Sequence, residues 1–165
     1  MISTGRVHRF GENLTTDDII AGKYKHETTD LDRLAPHLME NIRPGFADAV
    51  RPGDFIVGGR NFGYGSSREQ APRLLAHAGV AAVVAPSFAR IFFRNSINIG
   101  LLLLVCPTDG IEEGDTVAYD DEQGTLTATG STGERVLRPE PVPTEMREIV
   151  SAGGLLAYVK ERGTL

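Results

Sequence analysis

The sequence has no cluster of basic residues, no long hydrophobic run and only one cysteine. Its net charge of −5 argues against nucleic-acid binding, which draws on clustered Lys and Arg side chains. The longest strongly apolar stretch, 99–106, is too short to cross a bilayer, and the first ten residues lack the apolar core of a signal peptide. We therefore expect a cytoplasmic protein that binds neither nucleic acid nor a membrane. The single Cys106 excludes an internal disulfide.

The length and composition fit one ordinary globular domain. The chain has 165 residues, of which 41% are hydrophobic and 24% charged. This length suffices for one well-packed core but not comfortably for two, so we expect residues 1–165 to form a single domain.

Strand and helix patterns alternate along the chain, which predicts an α/β fold with a mixed sheet and flanking helices. The apolar run 80–85 is typical of a strand covered on both faces, and the short β-branched segments after residue 114 indicate antiparallel strands. Residues 14–20 are predicted to form a loop, and the polar segment 22–29 an irregular, exposed loop with little to bury. The predicted strands are 4–10, 55–57, 80–85, 101–105, 116–119, 125–129 and 135–137, and the main predicted helices are 67–77, 87–100, 144–152 and 155–162.

The most informative segment is the glycine-rich stretch Gly63-Tyr-Gly-Ser-Ser-Arg-Glu69, which leads from a strand into a helix. Such a loop presents unpaired backbone N–H groups and the positive end of the helix dipole, both of which favour anions. No Lys-Ser/Thr pair follows the glycines, the third glycine of the dinucleotide fingerprint is missing, and the segment is not a Gly-x-Ser-x-Gly elbow. A small carboxylate therefore fits better than a nucleotide. In the alternative interpretation, Ser66 or Ser67 only caps the helix and Glu69 completes the capping pattern.

Two further groups of polar residues are candidates for binding the same small carboxylate. The segment Thr15-Thr16-Asp17-Asp18 offers hydroxyls and carboxylates, although a turn that stabilises its own backbone explains it equally. Arg90 and Arg94 lie four residues apart among aromatic residues, which favours arginines that are paired or that face an anion over a solvated face. The four histidines show no metal-ligand spacing.

Three segments of the sequence resemble the small subunits of isopropylmalate isomerase, homoaconitase and related enzymes. The most specific is Asn61-Phe-Gly-Tyr-Gly-Ser-Ser-Arg-Glu-Gln-Ala-Pro72. Before it lies a segment similar to the family's first block, Asn13-Leu-Thr-Thr-Asp-Asp-Ile-Ile20. After it lies a segment similar to the next block, Ser87-Phe-Ala-Arg-Ile-Phe-Phe-Arg-Asn-Ser-Ile-Asn98, so the three occur in the family's order. With the C-terminal Gly153-Gly154-Leu155, the resemblance covers nearly the whole chain.

This resemblance implies a swivelling β/β/α domain, equivalent to the mobile fourth domain of single-chain aconitases. It implies a separate large subunit that holds a [4Fe–4S] cluster, whose open iron acts as a Lewis acid. The single cysteine agrees, since one thiol cannot hold such a cluster. By match to the motif, Ser66 would be the base that takes a proton from carbon, Ser67 and Arg68 would hold substrate carboxylates, and Asp17 would support the acid–base network. The substrate would be a small di- or tricarboxylic hydroxy acid.

The substrate is expected to be isopropylmalate, as in leucine biosynthesis. In this family the loop after the first segment sets specificity, and aconitases carry an arginine there. This chain has none between residues 22 and 30, although Lys23, Tyr24, Lys25 and His26 could contact a substrate. Homoaconitase, aconitase or dimethylmalate-type dehydration remain alternatives, as does a non-catalytic carboxylate-binding module. The sequence also departs from the family at Tyr64, often Cys, and Gln70, often His; neither position carries the proposed proton transfer.

Overall fold

One seven-stranded mixed sheet organises the protein, whose computed structural model describes residues 2–163 apart from the side chain of Lys25. Across the sheet the strands lie in the order β4-β3-β2-β1-β5-β6-β7. Their bounds are β1 Ile2–Arg9, β2 Phe55–Val57, β3 Ala82–Ala85, β4 Leu102–Val105, β5 Thr116–Asp120, β6 Thr125–Gly130 and β7 Gly133–Leu137.

The first strand divides the sheet into a parallel and an antiparallel half. It pairs in parallel with β2, with Val7 opposite Phe55, and β3 and β4 continue the parallel half. On its other edge it pairs antiparallel with β5, and β6 and β7 extend that half as a meander. Both the mixed α/β fold and the antiparallel strands after residue 114 are therefore confirmed.

Helices connect the parallel strands and close the chain. The α-helices are α1 Thr16–Ile19, α2 Leu31–Leu34, α3 Phe46–Ala49, α4 Gln70–His77, α5 Arg90–Ile99, α6 Thr144–Ser151 and α7 Leu155–Arg162, with short 3-10 helices at Gly22–His26 and Ala35–His37. The terminal pair breaks at Gly153 and Gly154, as predicted. Within residues 2–163, none of these helices combines the length and apolar character that a bilayer crossing needs.

Side chains of the central strands are buried alternately on the two faces of the sheet. In β3, Val83 and Ala85 join the core beneath the helices, whereas Ala82 and Val84 join a second core against β5 and β6. Successive side chains of a strand point to opposite faces, so a strand buried on both sides must be apolar throughout. This confirms the prediction made from the apolar run.

Residues 14–20 are not a loop throughout, contrary to the prediction, because Thr16–Ile19 within them form the helix α1. The hydroxyl of Thr15 accepts a hydrogen bond from the backbone N–H of Asp18, and the Asp18 carboxylate accepts one from the N–H of Thr15. This reciprocal capping box stabilises a single helical turn that the short apolar pattern alone does not indicate.

The helices α4 and α5 both start three residues later than predicted, at Gln70 and Arg90. Ser87 does not cap α5, because its hydroxyl accepts a hydrogen bond from the backbone N–H of Asn61 at 2.8 Å. The Ser87 side chain, a suitable helix cap by its type, instead holds the loop that contains Asn61. Sequence spacing does not reveal this contact.

A buried polar pair joins β1 to the turn before β2. His8 Nε2 lies 2.8 Å from Asp54 Oδ2, and both residues are buried. The Asp54 carboxylate also accepts hydrogen bonds from the backbone N–H groups of Arg51 and Arg6, at 2.9 and 3.3 Å. Burial raises the pKa of Asp54, but the hydrogen bonds from His8 and these two N–H groups outweigh it and hold the pKa below its ordinary value.

We expect Asp54→Asn to lower the free energy of unfolding by about 2 kcal/mol at pH 7, because a buried charged acceptor of several hydrogen bonds is lost. A carboxylate with a depressed folded-state pKa stabilises above its unfolded pKa, and this stabilisation disappears as the pH falls through the folded pKa. The difference between variant and wild type should therefore shrink below about pH 4. Urea denaturation of both proteins across this range measures it.

The exposed Asp109, whose side chain makes no hydrogen bond with the described residues, provides the matched control. Asp109→Asn should change the free energy of unfolding by less than about 0.5 kcal/mol. Equal effects of the two substitutions would contradict a stabilising role for the buried pair.

Candidate functional site

The glycine-rich loop lies between β2 and α4, at the carboxyl ends of the parallel strands where α/β proteins commonly bind ligands. Gly63 and Gly65 have φ angles of +79° and +108°, a region that favours glycine. A Cβ atom on Gly63 would lie 2.2 Å from the ring of Phe92 in α5. The fully buried Phe62 anchors the loop beside them. The loop therefore packs directly onto α5, and glycine at position 63 is sterically required.

Three hydrogen bonds fasten this loop to the segment around α1. The backbone N–H of Gly63 donates to the carbonyl of Leu14 at 2.7 Å, and that of Thr16 donates to the carbonyl of Tyr64 at 3.0 Å. The Thr16 hydroxyl donates to the carbonyl of Ser66 at 2.9 Å. The structure thus brings together the first and central segments that the resemblance singled out.

Arg68 and Asp17 form an ion pair across the same junction. Arg68 Nη1 donates to Asp17 Oδ1 at 2.6 Å and to the carbonyl of Ile20 at 3.0 Å. The same Asp17 oxygen accepts the backbone N–H of Gly22 at 2.9 Å. The Arg68 side chain is 12% exposed and that of Asp17 is 60% exposed. The arginine is thus oriented by the chain itself, and no described residue accepts a hydrogen bond from its buried Nε.

Ser66 lies exposed on a small cleft between the loop and α5. The cleft has a volume of about 160 Å³, and its lining includes Thr16, Ser66, Arg68, Arg90 and Asn95. No described residue accepts a hydrogen bond from the backbone N–H groups of Ser66, Ser67 or Arg68. The cleft therefore has a hydroxyl and two arginines in its lining, beside a loop with unpaired N–H donors, and this is the chemistry that binds a carboxylate.

Neither serine caps the following helix, so the alternative interpretation of the loop is wrong. The helix α4 begins at Gln70, and Glu69 at its N-cap makes no side-chain capping hydrogen bond. Glu69 instead pairs with Arg73, at 2.9 Å. Ser66 and Ser67 are exposed and precede the helix, although Ser67 is not among the residues that line the cleft.

Of the two arginines predicted on α5, one reaches the cleft. Arg90 lines it, and both Arg90 and Arg94 are exposed. Neither arginine makes an ion pair within residues 2–163, so the paired alternative is wrong for both. That Arg90 faces an anion stays a prediction, which its place at the cleft favours. Sequence reasoning did not identify the contact between Thr16 and Ser66, since the hydroxyls at positions 15 and 16 look alike without the fold.

The segment 22–29 is not an irregular loop throughout, which corrects the prediction. It begins with a 3-10 helix, and Tyr24 within it is buried. The Tyr24 hydroxyl donates to Glu40 Oε1 at 2.6 Å, a bond that raises the pKa of Tyr24 and lowers that of Glu40. The Tyr24 ring also stacks on His37 with 4.2 Å between centroids. An aromatic residue in a polar segment here serves as an anchor into the core.

Lys23 and His26, also predicted to contact substrate, are not among the residues that line the Ser66 cleft. Lys23 Nζ lies 3.9 Å from Glu40 Oε1 and 5.0 Å from the centre of the Tyr24 ring. His26 is exposed, and the Lys25 side chain lies outside the described part of the structure.

The donor set of the chain does not fit an iron–sulfur cluster. Its one cysteine, Cys106, is buried, and burial raises the pKa of the thiol, which disfavours the thiolate that binds iron. Among residues 2–163, no group of three or more His, Cys, Asp or Glu side chains is placed to hold a metal ion.

A larger cavity, of about 560 Å³, lies away from Ser66 near Cys106. Two of its arginines are already engaged: Arg9 donates to the carbonyls of Thr108 and Ile111, and Arg60 pairs with Glu12. None of its lining residues belongs to the three segments that carry the family resemblance, whereas every residue that lines the smaller cleft does. The cleft with Ser66 is therefore the better candidate site.

Comparison with known proteins gives consistent similarities along the chain. The family described as the aconitase C-terminal domain matches residues 18–109. The chain is 47% identical to 3-isopropylmalate dehydratase small subunit 2 of Archaeoglobus fulgidus, over 100% of this chain and 99% of that protein. It is 51% identical to the methanogen homoaconitase small subunit of Methanothermobacter thermautotrophicus, over 95% of this chain and 90% of that protein.

A solved structure has the same fold over nearly the whole chain. The crystal structure of 3-isopropylmalate dehydratase from Methanocaldococcus jannaschii superposes with a TM-score of 0.92 at 45% identity, covering 99% of this chain and 96% of that one. The two similar small subunits carry different substrate names at comparable identity, so overall identity does not separate their substrates.

Proposed function

We propose that this chain, which belongs to the aconitase C-terminal domain family of 3-isopropylmalate dehydratase and homoaconitase small subunits, works as one half of a two-subunit hydro-lyase. Its reaction would be the interconversion of 2-isopropylmalate and 3-isopropylmalate by removal and re-addition of water. A larger subunit would hold the [4Fe–4S] cluster, and neither chain alone would be active. The proposal includes a cytoplasmic location and a role in leucine biosynthesis.

The observation that carries this proposal is the size of the Ser66 cleft. Pockets that bind a small molecule by themselves commonly measure about 300–1,000 Å³. The Ser66 cleft measures about 160 Å³ although it gathers a hydroxyl, unpaired N–H groups and arginines. It thus has the chemistry of a carboxylate site but is too small to enclose a ligand. This supports a half-site that a partner chain completes.

Within this half-site, Ser66 would act as the base that removes a proton from the substrate carbon. A serine hydroxyl is a weak base, so its alkoxide needs stabilisation by nearby donors. The unpaired N–H groups of the loop and the nearby Arg68 supply positive potential at this point. Asp17 would keep Arg68 oriented through their 2.6 Å contact, and Ser67 with Arg68 would hold substrate carboxylates. The chemistry at the departing hydroxyl belongs to the proposed partner.

We propose isopropylmalate as the substrate, rather than a tricarboxylate, because residues 22–29 lack the arginine that aconitases carry in this loop. The anchor Tyr24 is also turned into the core. Lys23, Lys25 or His26 would have to replace that arginine in a homoaconitase or aconitase. These alternatives, and a dimethylmalate-type reaction, would use the same Ser66 chemistry.

A non-catalytic carboxylate-binding module is the remaining rival. Such a module would have to bind a dicarboxylate without a partner, and an open cleft of this size encloses too little ligand surface to support tight binding.

The decisive experiment is anaerobic co-purification of this chain with a larger subunit from its source, followed by iron and sulfide analysis. Turnover is then measured with 2-isopropylmalate, homocitrate, citrate and 2,3-dimethylmalate. We expect activity with 2-isopropylmalate from the complex and none from either chain alone. Activity with another of these acids would change the substrate, whereas tight dicarboxylate binding by the isolated chain without turnover by the complex would favour the module.

A further inference from the structure

The buried side chain of Thr16 fixes the backbone at Ser66 through a hydrogen bond. Thr16 is 3% exposed, and its hydroxyl donates to the Ser66 carbonyl at 2.9 Å. Its backbone N–H donates to the carbonyl of Tyr64, two residues earlier in the same loop. The base proposed above therefore lies on a stretch of backbone whose carbonyls are fixed by one residue of α1.

The orientation of the Ser66 carbonyl also determines where the next N–H group points. A trans peptide is planar, with its carbonyl and its N–H on opposite sides. Because the Ser66 carbonyl points towards Thr16, the N–H of Ser67 points away from Thr16. No described residue accepts a hydrogen bond from this N–H, although Ser67 is not among the residues that line the cleft.

Without this hydrogen bond, the loop offers little resistance to rotation of that peptide. Gly65, immediately before Ser66, has a φ angle of +108°, and a Cβ atom added to it would meet nothing closer than 3.6 Å. Ser66 and Ser67 precede the first turn of α4, so helical hydrogen bonds do not fix them. The Thr16 hydroxyl is consequently the main side-chain restraint on the orientation of this peptide.

We propose that Thr16 is a positioning residue for the reaction, and this inference rests on the proposed function. Through its hydroxyl it holds the Ser66–Ser67 peptide in one orientation, which fixes the base and an adjacent N–H donor relative to each other. Thr16 does not itself transfer a proton, because its hydroxyl is committed to a buried backbone carbonyl.

The test compares Thr16→Val with Thr16→Ser in the complete two-subunit enzyme, assayed with 2-isopropylmalate. Valine keeps the shape and loses the donor, so we expect kcat to fall about 10- to 100-fold while KM changes by less than about threefold. Serine keeps the donor, so Thr16→Ser should retain kcat within about threefold of wild type. Thr16→Ala repeats the test if the valine variant does not assemble.

The chain offers a matched control in Thr108. It is also buried, at 2% exposed, and its hydroxyl also donates to a backbone carbonyl, that of Gly58, at 2.9 Å. Thr108→Val should lower the melting temperature as Thr16→Val does but leave kcat unchanged, since Ser66 is not involved.

Two outcomes would overturn the inference. Equal kcat in wild type and Thr16→Val, with only a lower melting temperature, would assign Thr16 a purely structural role. An equal loss in Thr16→Ser and Thr16→Val would assign the effect to packing of the methyl group. Absence of turnover by the wild-type complex with every hydroxy acid tried would instead overturn the proposed function, and the inference with it.

Discussion

The Ser66→Ala variant is expected to lower kcat of the two-subunit enzyme by about a thousandfold, the loss typical of removing a general base. KM should change little, since the backbone N–H groups of the loop remain. Assembly should also be unaffected, because the exposed Ser66 side chain makes no hydrogen bond with the described residues. Steady-state kinetics, combined with size-exclusion chromatography and iron analysis of the complex, measure all three quantities.

Ser151, an exposed serine at the end of α6, is the control for this substitution. Ser151→Ala should leave both kcat and assembly at wild-type values. A Ser66→Ala complex with kcat within about threefold of wild type would remove Ser66 from the chemistry and revive the non-catalytic module.

The second large effect is expected from Gly63→Ala, which should lower the free energy of unfolding by about 3 kcal/mol. Its new methyl group would lie 2.2 Å from the buried Phe92 ring, and the backbone there has a φ angle of +79°. Both strains must be relieved by moving the loop, so the hydrogen bond from Gly63 to Leu14 should weaken and turnover by the complex should fall as well. Urea denaturation of the chain gives the stability.

Gly11 provides the contrast, since it has no positive φ angle and a Cβ atom there meets nothing within 4 Å. Gly11→Ala should be neutral or stabilising by about 0.5 kcal/mol, because alanine restricts the unfolded chain. If both alanine variants were equally stable, the close contact between loop and α5 would not constrain position 63.

Much of the fold could be predicted because its signals are local. An unbroken apolar run such as 80–85 has few uses other than a strand buried on both faces, and β3 lies within that range. The helix boundaries were less accurate because they depend on tertiary contacts. Ser87 is a good N-cap by type, yet it binds the backbone of Asn61, and no local pattern distinguishes the two uses.

The sequence indicated the residues of the candidate cleft but not the contacts between its segments. Ser66 and Arg68 belong to one continuous motif, so their proximity followed from the sequence. Asp17 lies 51 positions from Arg68, and no helical or strand period connects them. Likewise, only the fold shows that Tyr24 turns inward to Glu40, because tyrosine suits both a core and a ligand site.

The place of β1 in the sheet also has a consequence for how the protein is made. This strand is synthesised before β5, with which it pairs, so that Ile2 lies opposite Asp120. Its N-terminal part therefore lacks its partner strand until residues 116–120 have been synthesised. Contacts between such distant segments slow folding and leave strand edges exposed in the meantime. The nascent chain consequently has an interval in which a chaperone could bind β1, and the two halves of the sheet can be joined only after β5 has been synthesised.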